Sequence, residues 1–85
     1  MVAESSLPNP ALGQVIRRLR EAQGLQQEML ARHADLSVTT VSYIERRMVN
    51  PSWSTVEKIV RALGVSLVEI ARQIEEQEAA GRDAD

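Results

Sequence analysis

The chain has 85 residues, 44% hydrophobic and 26% charged, which allows one domain with a small core. Without Cys it has neither disulfides nor thiolate metal ligands, which fits a reducing compartment; its formal net charge of −2, taken whole, argues against strong attraction to nucleic acid or anionic membranes. Residues 1–10 lack a basic region followed by an apolar run, and no apolar stretch approaches the roughly 20 residues needed to span a bilayer, so a cytoplasmic protein without a membrane partner is expected.

Apolar positions recur at helical spacing almost throughout, and no stretch alternates like a half-buried strand, which predicts an all-α fold. Leu12, Val15, Ile16 and Leu19 mark a first helix, with Asn9 as its cap, Pro10 in its first turn and Gly24 as its stop. Met29, Leu30, Ala31 and Ala34 mark a short second helix beginning near Gln26. Ser37 caps a third, whose inward positions are Val41 and Ile44, and Leu36 and Val41 stand where a hydrophobic staple would place them. The run Val38-Thr39-Thr40-Val41 is β-branched throughout, which propensity alone assigns to a strand. It is short, follows a cap directly and continues with helical spacing, so a helix is expected.

Asn50-Pro51-Ser52 reads as a turn followed by a cap, and the fourth helix carries Val56, Ile59, Val60 and Leu63 before ending at Gly64. Ser66 and Glu69 frame a capping box, flanked by Val65 and Ile70 as a staple, and the fifth helix uses Leu67, Ile70, Ala71 and Ile74. The apolar stripe stops at Ile74. The expected organisation is therefore a flexible arm over 1–9, a compact five-helix domain over 10–74 and an acidic, disordered tail over 75–85.

Catalysis finds little support: there is one His, no Cys, and no phosphate-cradling loop among four glycines. The lone His33 reads as a partly exposed helix residue, and Met29 and Met48 as packing residues. No catalytic residue, metal or cofactor is expected. The informative segment is 26–47, where two short helices joined through Ala34-Asp35-Leu36 form a helix-turn-helix, with the motif itself at about 27–46. Its second helix must pack one face on the domain and offer small polar groups on the other. Val38, Thr39, Ser42, Tyr43 and Arg46 share the face opposite Val41 and Ile44, and that face carries no acid. Hydroxyls there suit bases or phosphates, Val38 suits a thymine methyl, and Tyr43 and Arg46 reach farther. A merely solvated polar face is the other reading of the same spacing.

The ordered set from Leu12-Gly13-Gln14-Val15-Ile16-Arg17-Arg18-Leu19-Arg20 through Gly24-Leu25-Gln26-Gln27-Glu28, Leu30-Ala31, Leu36-Ser37, Val41-Ser42 and Ile44-Glu45-Arg46 to Asn50-Pro51-Ser52 and Ala62-Leu63-Gly64-Val65-Ser66-Leu67 resembles the phage repressor/Cro-type (XRE-like) helix-turn-helix family, including its small stand-alone regulators. The resemblance implies a repressor-like domain that binds double-stranded DNA as a homodimer on a pseudo-palindromic operator. By the same resemblance Val38, Thr39, Ser42 and Tyr43 match base-reading positions, and Gln27, Ser37, Thr40, Arg46, Arg47 and Asn50 match positions that touch the DNA backbone. Arg20 and Glu45 match a structural pair joining the first helix to the end of the recognition helix. The sequence departs from the pattern at Asp35 and Arg47, where Gly is usual, at Gln26, where a better cap is usual, at the apolar Met48-Val49, and at Trp53, where an aliphatic residue is usual and where a core or loop-anchoring role is expected.

Charge divides by position. Residues 12–61 hold eight basic and five acidic side chains, whereas 74–85 hold one basic and five acidic. The motif region is thus locally basic. A domain this small meets one half-site, and Val65, Leu67, Val68 and Ile74 are the expected dimer interface, with filling of the monomer core as the alternative use. The functional expectation is a transcriptional regulator, cytoplasmic and nucleoid-associated when bound, with RNA polymerase or a partner protein as a further contact. The alternative is an antitoxin-like or other protein-binding module whose C-terminal segment engages a partner.

Overall fold

The computed structural model describes residues 10–83, and within them the chain forms five helices and no strand. They are α1 (Pro10–Ala22), α2 (Gln27–Ala34), α3 (Val38–Glu45), α4 (Trp53–Leu63) and α5 (Leu67–Asp83). The flexible arm expected over 1–9, the proposed cap Asn9 and residues 84–85 lie outside the described residues.

Two clusters share one core. Ile16, Leu30, Ala31, Ala34, Val41, Ile44, Ile59 and Leu63 meet at its centre, with Leu25 and Leu36 packed against them. Val15, Val60 and Ile70 form a second cluster, joined to the first through Leu12, Leu19 and Val65. The helical spacing identified this core well, with three corrections. Met29 and Met48 are exposed rather than packed, and Trp53, expected to anchor core or loop, is 63% exposed at the start of α4. At that position the helix has barely begun, and the inward face opens only at Val56, Ile59 and Val60.

The run Val38–Val41 is helical despite its β-branched side chains. The Ser37 hydroxyl accepts the Thr40 N–H, satisfying one of the unpaired donors at the helix start, and buried Val41 fixes the inward face. Ser52 caps α4 through the Thr55 N–H, and Ser66 caps α5 through the Glu69 N–H. At α2 the Gln26 side chain makes no capping hydrogen bond.

Four helices end in the same six-residue closure, the Schellman motif. Its long bond runs from Leu25 N–H to Arg20 O after α1, Leu36 to Ala31 after α2, Met48 to Tyr43 after α3 and Val65 to Val60 after α4. The residue before each donor takes a left-handed backbone, with φ of 72° at Gly24, 58° at Asp35, 63° at Arg47 and 72° at Gly64. The structure therefore explains why Gly is usual where Asp35 and Arg47 stand: a Cβ at positive φ is strained by roughly 1–2 kcal/mol.

The fifth helix corrects the expected tail. It does not fray after Ile74 but continues to Asp83. Apolar periodicity misses this because polar contacts hold the extension: Arg72 pairs with Glu69 and Glu76 along the helix, while the Arg18 guanidinium of α1 donates to Gln73 at 2.8 Å and to Gln77 at 3.0 Å. Gln77 also donates to Gln14, a second polar tie to α1.

Gly13 is where α1 crosses the end of α3. A Cβ there would stand 2.3 Å from the Ile44 carbonyl oxygen and 3.3 Å from that of Glu45, both backbone atoms. Gly13→Ala is expected to destabilise the fold by about 1–3 kcal/mol, read from urea unfolding, because the two helices must separate. Asp35→Gly and Arg47→Gly should each stabilise it by about 0.5–1 kcal/mol, the left-handed strain removed less the entropy that Gly loses on folding.

Candidate nucleic-acid interface

The turn through Asp35, Leu36 and Ser37 sets α3 against α2, and the sequence of α3 determines which side faces outward. Val41, Ile44 and Glu45 are buried, while Val38, Thr39 and Tyr43 are exposed and Ser42 is half-buried beside them. One side of α3 thus enters the core, and the other presents a methyl-bearing, hydroxyl-rich surface without a carboxylate.

The end of α3 is held by a buried charge cluster. Arg20 grips Glu45 with two nitrogens, Nε at 2.7 Å from Oε2 and Nη2 at 3.0 Å from Oε1, and its Nη1 donates to the Leu25 carbonyl at 2.7 Å. Gln27 Nε2 adds a third donor to the same carboxylate, at 3.0 Å from Oε1. Arg20 and Glu45 are only 8% and 6% exposed, and no buried side-chain polar atom lacks a partner among the described residues. Hydrogen bonding to Glu45 raises the Arg20 pKa above its already high value, against the opposing effect of burial. The stabilisation from this shift is therefore complete throughout neutral pH and is lost only in more alkaline solution.

Gln27 serves the fold in this geometry, bracing the first helix of the motif against the end of the second. Ser37 and Thr40 do likewise: the Ser37 hydroxyl accepts the Thr40 N–H and lies 2.9 Å from the Thr40 hydroxyl. Beyond α3, Arg46, Arg47 and Asn50 are exposed on the segment that follows. The Arg46 guanidinium carbon lies over the Tyr43 ring, 5.5 Å from its centroid. Neither Arg46 nor Arg47 makes an ion pair among the described residues. Spacing alone had not assigned a role to Gly13, whose missing side chain lets α1 approach the carbonyls of Ile44 and Glu45.

The four residues expected at a dimer interface divide. Val65, Leu67 and Ile74 pack on the Val15–Val60–Ile70 cluster, whereas Val68 is 77% exposed. Leu67 and Ile74 also line an apolar groove of about 310 Å³ with Leu12, Trp53, Val56, Ile70 and Ala71. His33 is exposed on α2, and no group of three metal-ligating side chains occurs among the described residues. No helix there is long and apolar enough to cross a membrane.

Short α2 and α3, the tight turn between them and the outward face of α3 define a helix-turn-helix domain. The family model described as a helix-turn-helix domain matches residues 11–73, and the chain belongs to that family. It is 38% identical over 71 residues to the immunity repressor protein of Bacillus phage phi105, covering 80% of this chain and 49% of that protein. The chain thus spans about half the length of that repressor. It is 44% identical over 54 residues to the control protein C.BamHI of Bacillus amyloliquefaciens, covering 62% of this chain and 67% of that one. The solved structure of the restriction-modification controller protein C.Esp1396I, a tetramer in complex with its natural 35-base-pair operator, matches with a TM-score of 0.75 at 31% identity. That match covers 79% of this chain and 88% of the other.

The Arg20–Glu45 pair makes a signed prediction. Replacing Arg20 by Met alone should cost about 3–5 kcal/mol in urea unfolding, because a buried carboxylate loses its counter-charge. Replacing Glu45 by Leu in that background should recover part of the loss, since two apolar side chains leave no uncompensated charge. A double variant less stable than Arg20→Met alone would mean that the unpaired Glu45 carboxylate is not what costs the single variant its stability.

Proposed function

We propose that the chain is a sequence-specific DNA-binding transcriptional regulator that acts as a homodimer on a pseudo-palindromic operator and has no enzymatic activity. One observation carries this reading: α3 is locked to the domain by Val41, Ile44 and Glu45 and turns an acid-free face of Val38, Thr39, Ser42 and Tyr43 outward. That face has the size and chemistry for a major groove, which admits an α-helix and displays acceptors, donors and thymine methyls.

In this reading α3 enters the major groove and Val38, Thr39, Ser42 and Tyr43 read base edges. Arg46, Arg47 and Asn50 grip phosphates on one side; Ser37, Thr40 and the start of α2 at Gln27 meet the backbone on the other. The uncapped N-terminus of α2 suits a phosphate because its first N–H groups and the helix dipole both favour an anion. A second copy related by two-fold symmetry supplies the second half-site, and the likeness to a restriction-modification controller solved as a tetramer on its operator supports binding by more than one copy. The working location is the cytoplasm, at the nucleoid when DNA is bound.

Selection of bound sequences from random DNA tests the whole reading. Recovered sites should carry two-fold symmetric half-sites, and an absence of enrichment would overturn it. Thr39→Ala should weaken binding to a selected site by about 1–3 kcal/mol while affecting random DNA less. Arg47→Ala should weaken binding to both and lower the salt dependence by about one unit of slope. An equal loss on both DNAs for Thr39→Ala would make Thr39 a backbone contact.

A further inference from the structure

We propose that Tyr43 is the positioning residue for Arg46: its ring holds the guanidinium at the end of α3 for an anionic DNA backbone, and the two side chains act as one unit. The inference rests on the DNA-binding reading above and adds a second task for Tyr43, whose ring face and hydroxyl do different work.

Geometry is the first support. Tyr43 and Arg46 are three residues apart, a spacing that brings side chains together on a helix, and the guanidinium carbon sits 5.5 Å from the ring centroid, inside the range of a cation–π contact. Both backbones are fixed. The Arg46 N–H is bonded to the Ser42 carbonyl and the Tyr43 carbonyl accepts the Met48 N–H, so the closure that ends α3 sets the two residues relative to each other.

Electrostatics is the second. A flexible arginine is ordered on binding at an entropic cost, which a prior contact lowers. A carboxylate would hold Arg46 equally well but would cancel the charge that a phosphate needs. The adjacent carboxylate, Glu45, is buried and engaged by Arg20 and Gln27. The ring contact leaves Arg46 with its full charge and with its N–H donors uncommitted to any carboxylate among the described residues. This arrangement requires a flat π face at position 43; an aliphatic side chain of similar bulk does not provide one.

The test compares Tyr43→Phe with Tyr43→Leu, each alone and combined with Arg46→Met, on a duplex recovered by selection and on a random-sequence duplex. In the wild-type and Phe backgrounds, Arg46→Met should weaken binding to both duplexes about tenfold and lower the salt slope by about one. In the Leu background the same change should cost about twofold or less. In the free protein, the Arg46 δ-methylene protons should be shifted upfield by the ring in wild type and in Tyr43→Phe, and not in Tyr43→Leu. Neither Tyr43 nor Arg46 belongs to the buried core, so all variants should stay within a few degrees of the wild-type thermal midpoint. Equal costs of Arg46→Met in the Tyr and Leu backgrounds, or an unshifted methylene in the wild type, would overturn the pairing while leaving DNA binding intact. A wild-type protein that binds neither duplex would overturn the functional reading and, with it, this role for the pair.

Discussion

The carboxylate of Glu45 is the point on which the arrangement of the first three helices depends. It is buried, and a charge removed from water is tolerated only when the protein replaces the lost solvation. Arg20 from α1 and Gln27 from α2 supply that replacement, and Arg20 also binds the carbonyl that follows α1. Because the donors come from two helices and the acceptor from a third, satisfying one charge fixes three orientations. Apolar packing through Val41 and Ile44 supplies adhesion without direction; the fork of Arg20 supplies direction.

Short helices need such external constraint. The helices α2 and α3 have eight residues each, too few to be stable alone in water, so their form is imposed by caps, closures and contacts. The repeated closure shows how this is done at low sequence cost: one left-handed residue followed by an apolar one that folds back. Leu25, Leu36 and Val65 in that last position all pack on the core, whereas Met48 remains exposed. The closure after α3 is also the one with Arg at the strained position, so a stability cost and an exposed cation coincide beside the outward face. A glycine would relieve the backbone and remove the charge.

Most of the fold was legible because the core is built from regularly spaced apolar residues and because Ser37, Ser52, Ser66, Gly24 and Gly64 punctuate it in ways with simple physical causes. The outward face of α3 was legible for the same reason, since fixing Val41 and Ile44 inward fixes the opposite side. Three things were not. The extension of α5 depends on Arg18, Arg72 and Gln77, side chains whose partners lie on another helix or one turn away, and apolar periodicity carries no signal for them. The role of Gly13 is an absence of atoms at a crossing that only tertiary structure defines. Trp53 was misplaced because hydrophobicity says only that a side chain prefers contact, whereas this one stands at the start of α4, before the inward face opens at Val56. It borders an apolar groove with Leu67 and Ile74, two of the expected interface residues that also pack on the core.

Charge had to be read by position and then by commitment. A net charge of −2 conceals a basic central region, and the structure sharpens that division further, because the acids of α5 lie on a helix packed against α1 and α4 rather than α3. Within the central region the count of cations still overstates what is available. Of its eight basic side chains, Arg17 pairs with Glu21, Arg18 is engaged by two glutamines and Arg20 is buried, so three are already committed within the fold. Arg46 and Arg47 remain at the edge of the outward face. In the proposed DNA-binding reading, attraction between these cations and phosphates favours any duplex alike, so selectivity must come from close contacts along α3. That is the regime in which fixing the helix rigidly has value: a base contact worth about 1–3 kcal/mol discriminates only if the side chain making it arrives in the same place each time.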